Sequence, residues 1–237
     1  MLKNSVIVIF MHSLSFILYG QRIPQDSAFV KVAAKNTLSS YSKVFEFYTP
    51  LYSGSEYIKY SSLRNEHPYF LDDDFTVERI QYLGHEYEEV DLLYDLVHDE
   101  VIFYGGKMIK LVPENINYFT RLGHLFIRLD DPGIPTGFYD LLYTGEIKVL
   151  VKRSKILFEE KRSDKQIIRE FKEQNKYYIF KSGMYHSVKS KKSLLQLFGN
   201  KKQEIAQYMR QNNILFNQDR ERAIVKITEY YCTISSQ

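Results

Sequence analysis

The chain has 237 residues, 44% of them hydrophobic and 26% charged, which is ordinary for a folded protein and excludes a disordered tail, a collagen-like rod and a disulfide scaffold. A formal net charge of +3 hides an asymmetry: residues 21–150 carry 12 Lys and Arg against 20 Asp and Glu, and residues 151–237 carry 19 against 9. The basic residues are densest at Lys152, Arg153 and Lys155 and at Lys191, Lys192, Lys201 and Lys202. They are not interleaved with aromatics, so attraction between the two halves fits better than a nucleic-acid platform, and no nucleic acid is expected as partner.

Residues 1–20 read as a removable leader. Lys3 precedes the apolar run Val6 to Phe10, a mild break at His12 and Ser13, a second apolar stretch from Leu14 to Tyr19, and Gly20 before a cut ahead of Gln21. The uninterrupted run is too short for a comfortable membrane anchor. A signal peptide implies export to the periplasm or beyond, with no integral membrane protein left after cleavage. Cys232, the one cysteine, cannot close an intramolecular bridge and reads as a small buried apolar group.

Ala28 to Phe47 places Phe29, Val32, Ala33, Leu38, Tyr41 and Val44 or Phe45 roughly on a helical face, with Pro50 beyond its end. Tyr52 to Pro68 is rich in Ser, Gly and Tyr and reads as irregular backbone. From Phe75 to about Glu160 short β-rich runs alternate with turns. The runs are Val77–Leu83, Tyr87–Val97, Val101–Tyr104, Met108–Val112, Ile116–Leu122, Leu125–Leu129, Phe138–Tyr143 and Ile147–Phe158. Gly84, Gly106, Gly123, Pro132-Gly133 and Gly145 punctuate them. Leu125, Ile127 and Leu129 share one face, as do Ile147, Val149 and Val151, although Leu150 breaks the alternation. The expectation is an antiparallel meander of roughly seven or eight strands, curled into a barrel-like sheet or split into a sandwich.

Beyond Lys161 the pattern predicts helices around one hairpin. Ser163 with Gln166 makes a capping-box signature before Ile167, Ile168 and Phe171. Tyr177–Phe180 and Met184–Val188 flank the turn Ser182-Gly183. Leu194, Leu197 and Phe198 stop at Gly199. Ile205, Tyr208 and Met209 make the next stripe, and Asp219 caps a last helix with Ile224, Ile227, Tyr231 and Ile234 on one side. The fold class is therefore α+β: a leader over 1–20, an N-terminal helix plus antiparallel β domain over 21–160, and over 161–237 a basic helical extension with one hairpin, packed on the sheet.

No phosphate-loop, dinucleotide, nucleophile-elbow or zinc-protease signature occurs. Asp72, Asp73 and Asp74 could offer oxygen ligands to Ca²⁺, but calcium-loop spacing is missing and a solvated turn explains them better. His85, Glu86, Glu88, Glu89 and Asp91 bunch at a hairpin, where Glu86 and Glu88 share a strand face as paired hydrolytic carboxylates would. Charge is also easily placed at hairpin tips. Leu83-Gly84-His85 recurs as Leu122-Gly123-His124, too short a match for a repeat and explained by turn chemistry. These residues assign no catalytic, cofactor-binding or metal-ligating position.

The run GHEYEEVDLLYDLVHDEVIF over Gly84–Phe103 is preceded by Leu51-Tyr52-Ser53-Gly54-Ser55-Glu56-Tyr57 and followed by the basic ending KKSLLQLFGNKKQEIAQYMRQNNILF. Together they resemble a group of exported, uncharacterised proteins common in Bacteroidota. The resemblance implies export and a β-rich body with a helical end, and it carries no catalytic residues or cofactor. The expected function is an exported, non-enzymatic binding or structural module of the cell envelope, with an envelope protein or an anionic envelope component as partner. A carrier enclosing a small apolar ligand and a hydrolase built on Glu86 and Glu88 are the alternatives.

Overall fold

Two-residue turns set the architecture. At Leu83-Gly84, Leu122-Gly123 and Ser182-Gly183 both residues have positive φ, 51° and 79°, 49° and 81°, and 52° and 78°. That backbone twist matches the twist of the flanking strands and favours glycine at the second position. The same turn at the first two hairpins accounts for the recurring Leu-Gly before His85 and His124.

The computed structural model describes residues 47–60, 66–161 and 167–235. The expected leader, the expected N-terminal helix up to residue 46, and the capping-box residues Ser163 to Gln166 lie outside them. The strands are β1 (Ser55–Glu56), β2 (Thr76–Tyr82), β3 (His85–Asp95), β4 (Glu100–Tyr104), β5 (Met108–Lys110), β6 (Ile116–Arg121), β7 (His124–Asp131), β8 (Ile134–Tyr143), β9 (Lys148–Lys152), β10 (Lys155–Lys161), β11 (Ile167–Glu173), β12 (Lys176–Lys181) and β13 (Met184–Ser187). Three helices follow, α1 (Lys191–Leu197), α2 (Lys202–Gln211) and α3 (Arg220–Ser235). None of the described helices is long and apolar enough to cross a membrane.

The α+β class and antiparallel pairing are as expected, but the main sheet is open rather than closed. Its eleven strands run β1-β5-β4-β3-β2-β6-β7-β8-β9-β12-β13, and β10-β11 pair apart from it. The chain meanders outward from β2 to β5, then recrosses through Leu111–Asn115 to lay β6 along the other side of β2. Two local expectations are overturned. Ile147 to Phe158 is not one strand, because Arg153 and Ser154 interrupt it between β9 and β10. The helix expected from Ser163 through Phe171 is strand β11 over its described part. Leu157 faces Phe171 and Glu159 faces Arg169, with Arg169 Nε 2.5 Å from Glu159 Oε1 and Lys172 Nζ 3.5 Å from the centre of the Phe158 ring. These cross-strand pairs outweigh a local capping preference.

Aromatic rings fill the first core. Tyr94, Phe119, Phe126 and Phe138 are fully buried, with Phe119 stacked on Phe126 at 5.0 Å and edge-on to Phe138 at 5.2 Å. The carrier alternative required a hollow where these rings stand. The second core seats the helices on β9 and β12: Val149, Val151 and Ile179 meet Leu194, Phe198, Ile205, Ile224 and Ile227. Asp219 caps α3 through the Arg222 amide at 3.0 Å, and Ser190 caps α1.

Arg121 is buried and donates to Leu92 O at 3.0 Å, Asp72 O at 3.1 Å and Asp74 O at 2.7 Å, tying the segment before β2 to the sheet. Tyrosines supply a second set of buried polar groups. Burial, reinforced by Asp99, holds the Tyr94 phenol well above its ordinary value, and burial with Glu221 pushes Tyr177 up to about 12. Burial likewise raises Tyr57 and Tyr139. A group whose folded pKa exceeds its unfolded one gives stability that is complete below the unfolded value and is lost as pH rises toward the folded one. The urea midpoint should therefore fall steeply once pH passes about 10, the ordinary tyrosine value. A midpoint flat from pH 8 to about 11 would contradict this linkage.

Candidate ligand groove

The hairpin register gathers cations that are far apart in sequence. β12 and β13 pair Tyr178 with Ser187, so Lys176 and Lys189 flank the same open end of that hairpin. The chain returns there at the start of α3, which delivers Arg220. Together with Asn175, Tyr177, Tyr178, Ser187 and Val188 they line an open cavity of about 580 Å³.

Arg220 is held in advance of any ligand. Its guanidinium carbon lies 5.3 Å from the Tyr177 ring centre and 5.5 Å from that of Phe216, and Nη2 donates to Lys189 O at 2.5 Å. Tyr177 is itself fixed, donating to Glu221 Oε1 at 3.1 Å. Among the described residues no carboxylate forms an ion pair with Lys176, Lys189 or Arg220. A planar, stacked guanidinium presents a fork suited to carboxylate or phosphate, and lysines on flexible stems add charge without fixed geometry. Such a groove can bind an anion and lay an apolar or sugar face against tyrosine. It offers no nucleophile paired with a base.

The densest basic group of the sequence is instead consumed within the fold. Lys152 pairs with Asp99, and Arg153 with Asp140 and Glu221. Lys155 donates to His67 O at 3.0 Å and Tyr69 O at 2.8 Å. Burial lowers the Lys152 and Lys155 ammonium groups below their ordinary value despite these partners. Asp99 and Asp140 belong to the acidic half, so part of the asymmetry is neutralised internally. Lys191, Lys192 and Lys202 remain on the surface.

The other candidate residues of the sequence do not line this groove, and Asp72, Asp73 and Asp74 bring one carboxylate oxygen each within 4.8 Å of the others. Asp72, Asp73 and Asp74 form an exposed turn. The Asp74 amide, 2.9 Å from Asp72 Oδ1, holds the Asp72 carboxyl below its ordinary value, and the backbone oxygens of Asp72 and Asp74 serve Arg121. Glu86 and Glu88 are exposed on β3, while Glu89 occupies a bulge at φ 55°. A hydrogen bond to Glu86 raises the Tyr118 phenol. His85 is exposed and edge-on to Phe47 at 6.1 Å. Asp91 pairs with Val77 across β2 and β3. Cys232 is half-buried against the helical core and hydrogen-bonded with Tyr143, whose phenol is raised by it. The groove escaped notice in the sequence because its signal lies in the hairpin register, with Lys176 opening β12 and Lys189 just beyond β13, rather than in a run of charge. No family model, curated protein or solved structure matches the chain.

Proposed function

We propose that the chain is an exported, non-enzymatic binding module of the cell envelope that takes an anionic envelope component into the groove between β12, β13 and α3. The observation that carries this reading is the convergence of Lys176, Lys189 and Arg220 on one open cavity, with no carboxylate paired to them among the described residues. The leader pattern and the resemblance to exported Bacteroidota proteins support the compartment. The filled aromatic core and the exposed setting of Glu86 and Glu88 weigh against the carrier and the hydrolase.

Immobilised full-length chain, exposed to envelope extracts at low and high salt, should retain a partner at low salt and release it as salt screens the contact. Lys176→Glu combined with Lys189→Glu changes two exposed side chains and should reduce retention at least about 10-fold, as reversal of contacting charges does. Recovery of no partner at either salt, or equal retention by the double variant, would overturn the reading.

A further inference from the structure

A second constellation lies at the opposite part of the sheet, around the β3–β4 turn. Asp95 and Glu100 face each other across the two strands, and His98 stands in the turn between them. We propose that these residues form a binding site for a divalent transition-metal ion of the zinc class, with Asp95, His98 and Glu100 as ligands and Tyr60 completing the set.

The geometry requires little movement. One donor atom from each of Asp95, His98 and Glu100 lies within 4.8 Å of the others. His98 Nδ1 is 3.2 Å from Asp95 Oδ2 and 2.6 Å from Tyr60 Oη. Ligand bonds of about 2.0–2.2 Å in a tetrahedron place donor atoms a little over 3 Å apart, so these spacings need only small adjustment.

Charge gives an independent reason. The Asp95 side chain is 0% exposed, yet its partners are the amides of Val97 and His98, the Tyr57 hydroxyl and the His98 ring. Among the described residues none of its partners is a lysine or arginine, and Lys110 is engaged with Glu100 at 3.0 Å. A buried carboxylate without a fixed cation beside it is costly unless a counter-charge arrives. An Asx turn explains the two amides on Oδ1. It does not explain why an imidazole and a second carboxylate each bring a donor atom within 4.8 Å of this carboxylate, or why the Tyr60 phenol meets that same imidazole.

The surroundings are those of a supported site. Tyr57 donates to Asp95 Oδ2 at 2.9 Å and is backed by Tyr69 at 3.4 Å, while the amides fix Oδ1, so the carboxylate is oriented before an ion arrives. The Tyr60 ring stacks on His98 at 5.6 Å. A cavity of about 390 Å³ lined by Tyr57, Tyr60, His98 and Glu100 opens over the cluster, and His98 is 54% exposed, giving the ion a path in. One imidazole with two carboxylates suits a zinc-class ion, whereas Ca²⁺ asks for six to eight oxygens. Asp72, Asp73 and Asp74 lack both the imidazole and the burial.

Zinc chloride titrated into the full chain should bind at one ion per chain by calorimetry, and Co²⁺ in its place should give visible absorption bands. His98→Ala and Glu100→Gln should each weaken binding at least about 10-fold, the scale on which even supporting residues act. Asp72→Asn should leave it unchanged. Circular dichroism on each variant separates ligand loss from misfolding, and Tyr60→Phe, which keeps the ring, should weaken cobalt binding with the fold intact. Absence of binding, or affinity unchanged in the folded His98→Ala and Glu100→Gln proteins, would overturn the proposal. Because the groove variants do not touch this cluster, failure of either proposal leaves the other standing.

Discussion

Arg153→Ala is expected to lower the free energy of unfolding by about 3–5 kcal/mol, the range for stranding one partner of a buried ion pair. Arg153 sits in the break between β9 and β10 and ties three elements together. Nε and Nη2 donate to Asp140 on β8 at 3.0 and 2.6 Å, and Nη2 donates to Glu221 on α3 at 2.9 Å. Its guanidinium also lies 5.7 Å from the Phe70 ring centre. Burial works against the charge, but the hydrogen bonds of Glu221 and Asp140 hold the guanidinium above its ordinary value. Asp140 is 1% exposed and, among the described residues, would keep only His124, at 2.9 Å, as an ionic neighbour. Urea unfolding reads the loss as a lower midpoint at unchanged slope. In a double-mutant cycle, Asp140→Asn should cost far less on the Arg153→Ala background than alone. A midpoint within experimental error of the parent protein would refute the tie.

Phe119→Ala should cost a similar amount, about 3–5 kcal/mol, because it removes a whole buried ring and leaves a cavity that its neighbours cannot fill. Phe119 is fully buried on β6, opposite Ile80 of β2. It touches Tyr94 at 5.1 Å, Phe126 at 5.0 Å and Phe138 at 5.2 Å between ring centres. The rings it contacts come from β3, β7 and β8, so the deletion loosens both arms of the sheet at once. Leu125→Ala, on the neighbouring strand but 37% exposed, is the matched control and should change stability by well under half as much. Equal midpoints for the two variants would show that the ring cluster does not organise the core.

Most of the β region was legible because its information is local. Gly84, Gly106 and Gly123 mark positive-φ turns, and the strands between them begin and end within a few residues of the expected runs. Strand order was not legible, since β2 can accept a partner on either side and nothing nearby in sequence says that β6 will take the second. Ile167–Glu173 was misread for a related reason: Ile167, Ile168 and Phe171 suit a helical stripe as well as a strand, and what decides is the pairing with β10. The Glu89 bulge escaped alternation arguments because it puts both Tyr87 and Val90 inside. Of the two sites, the groove needs the β12–β13 register and the return of α3. The Asp95, His98 and Glu100 cluster was contained in Asp95-Leu96-Val97-His98-Asp99-Glu100, but its acidic and imidazole groups gain meaning only when Tyr57 and Tyr60 are brought against them from a distant segment.

An open sheet must end somewhere, and the way this one ends bears on solubility. Its outermost strands are β1, two residues long, and β13, four residues long. Unpaired peptide groups along a long, flat margin would template the stacking of one copy upon another, whereas margins this brief give an incoming chain few hydrogen bonds to gain.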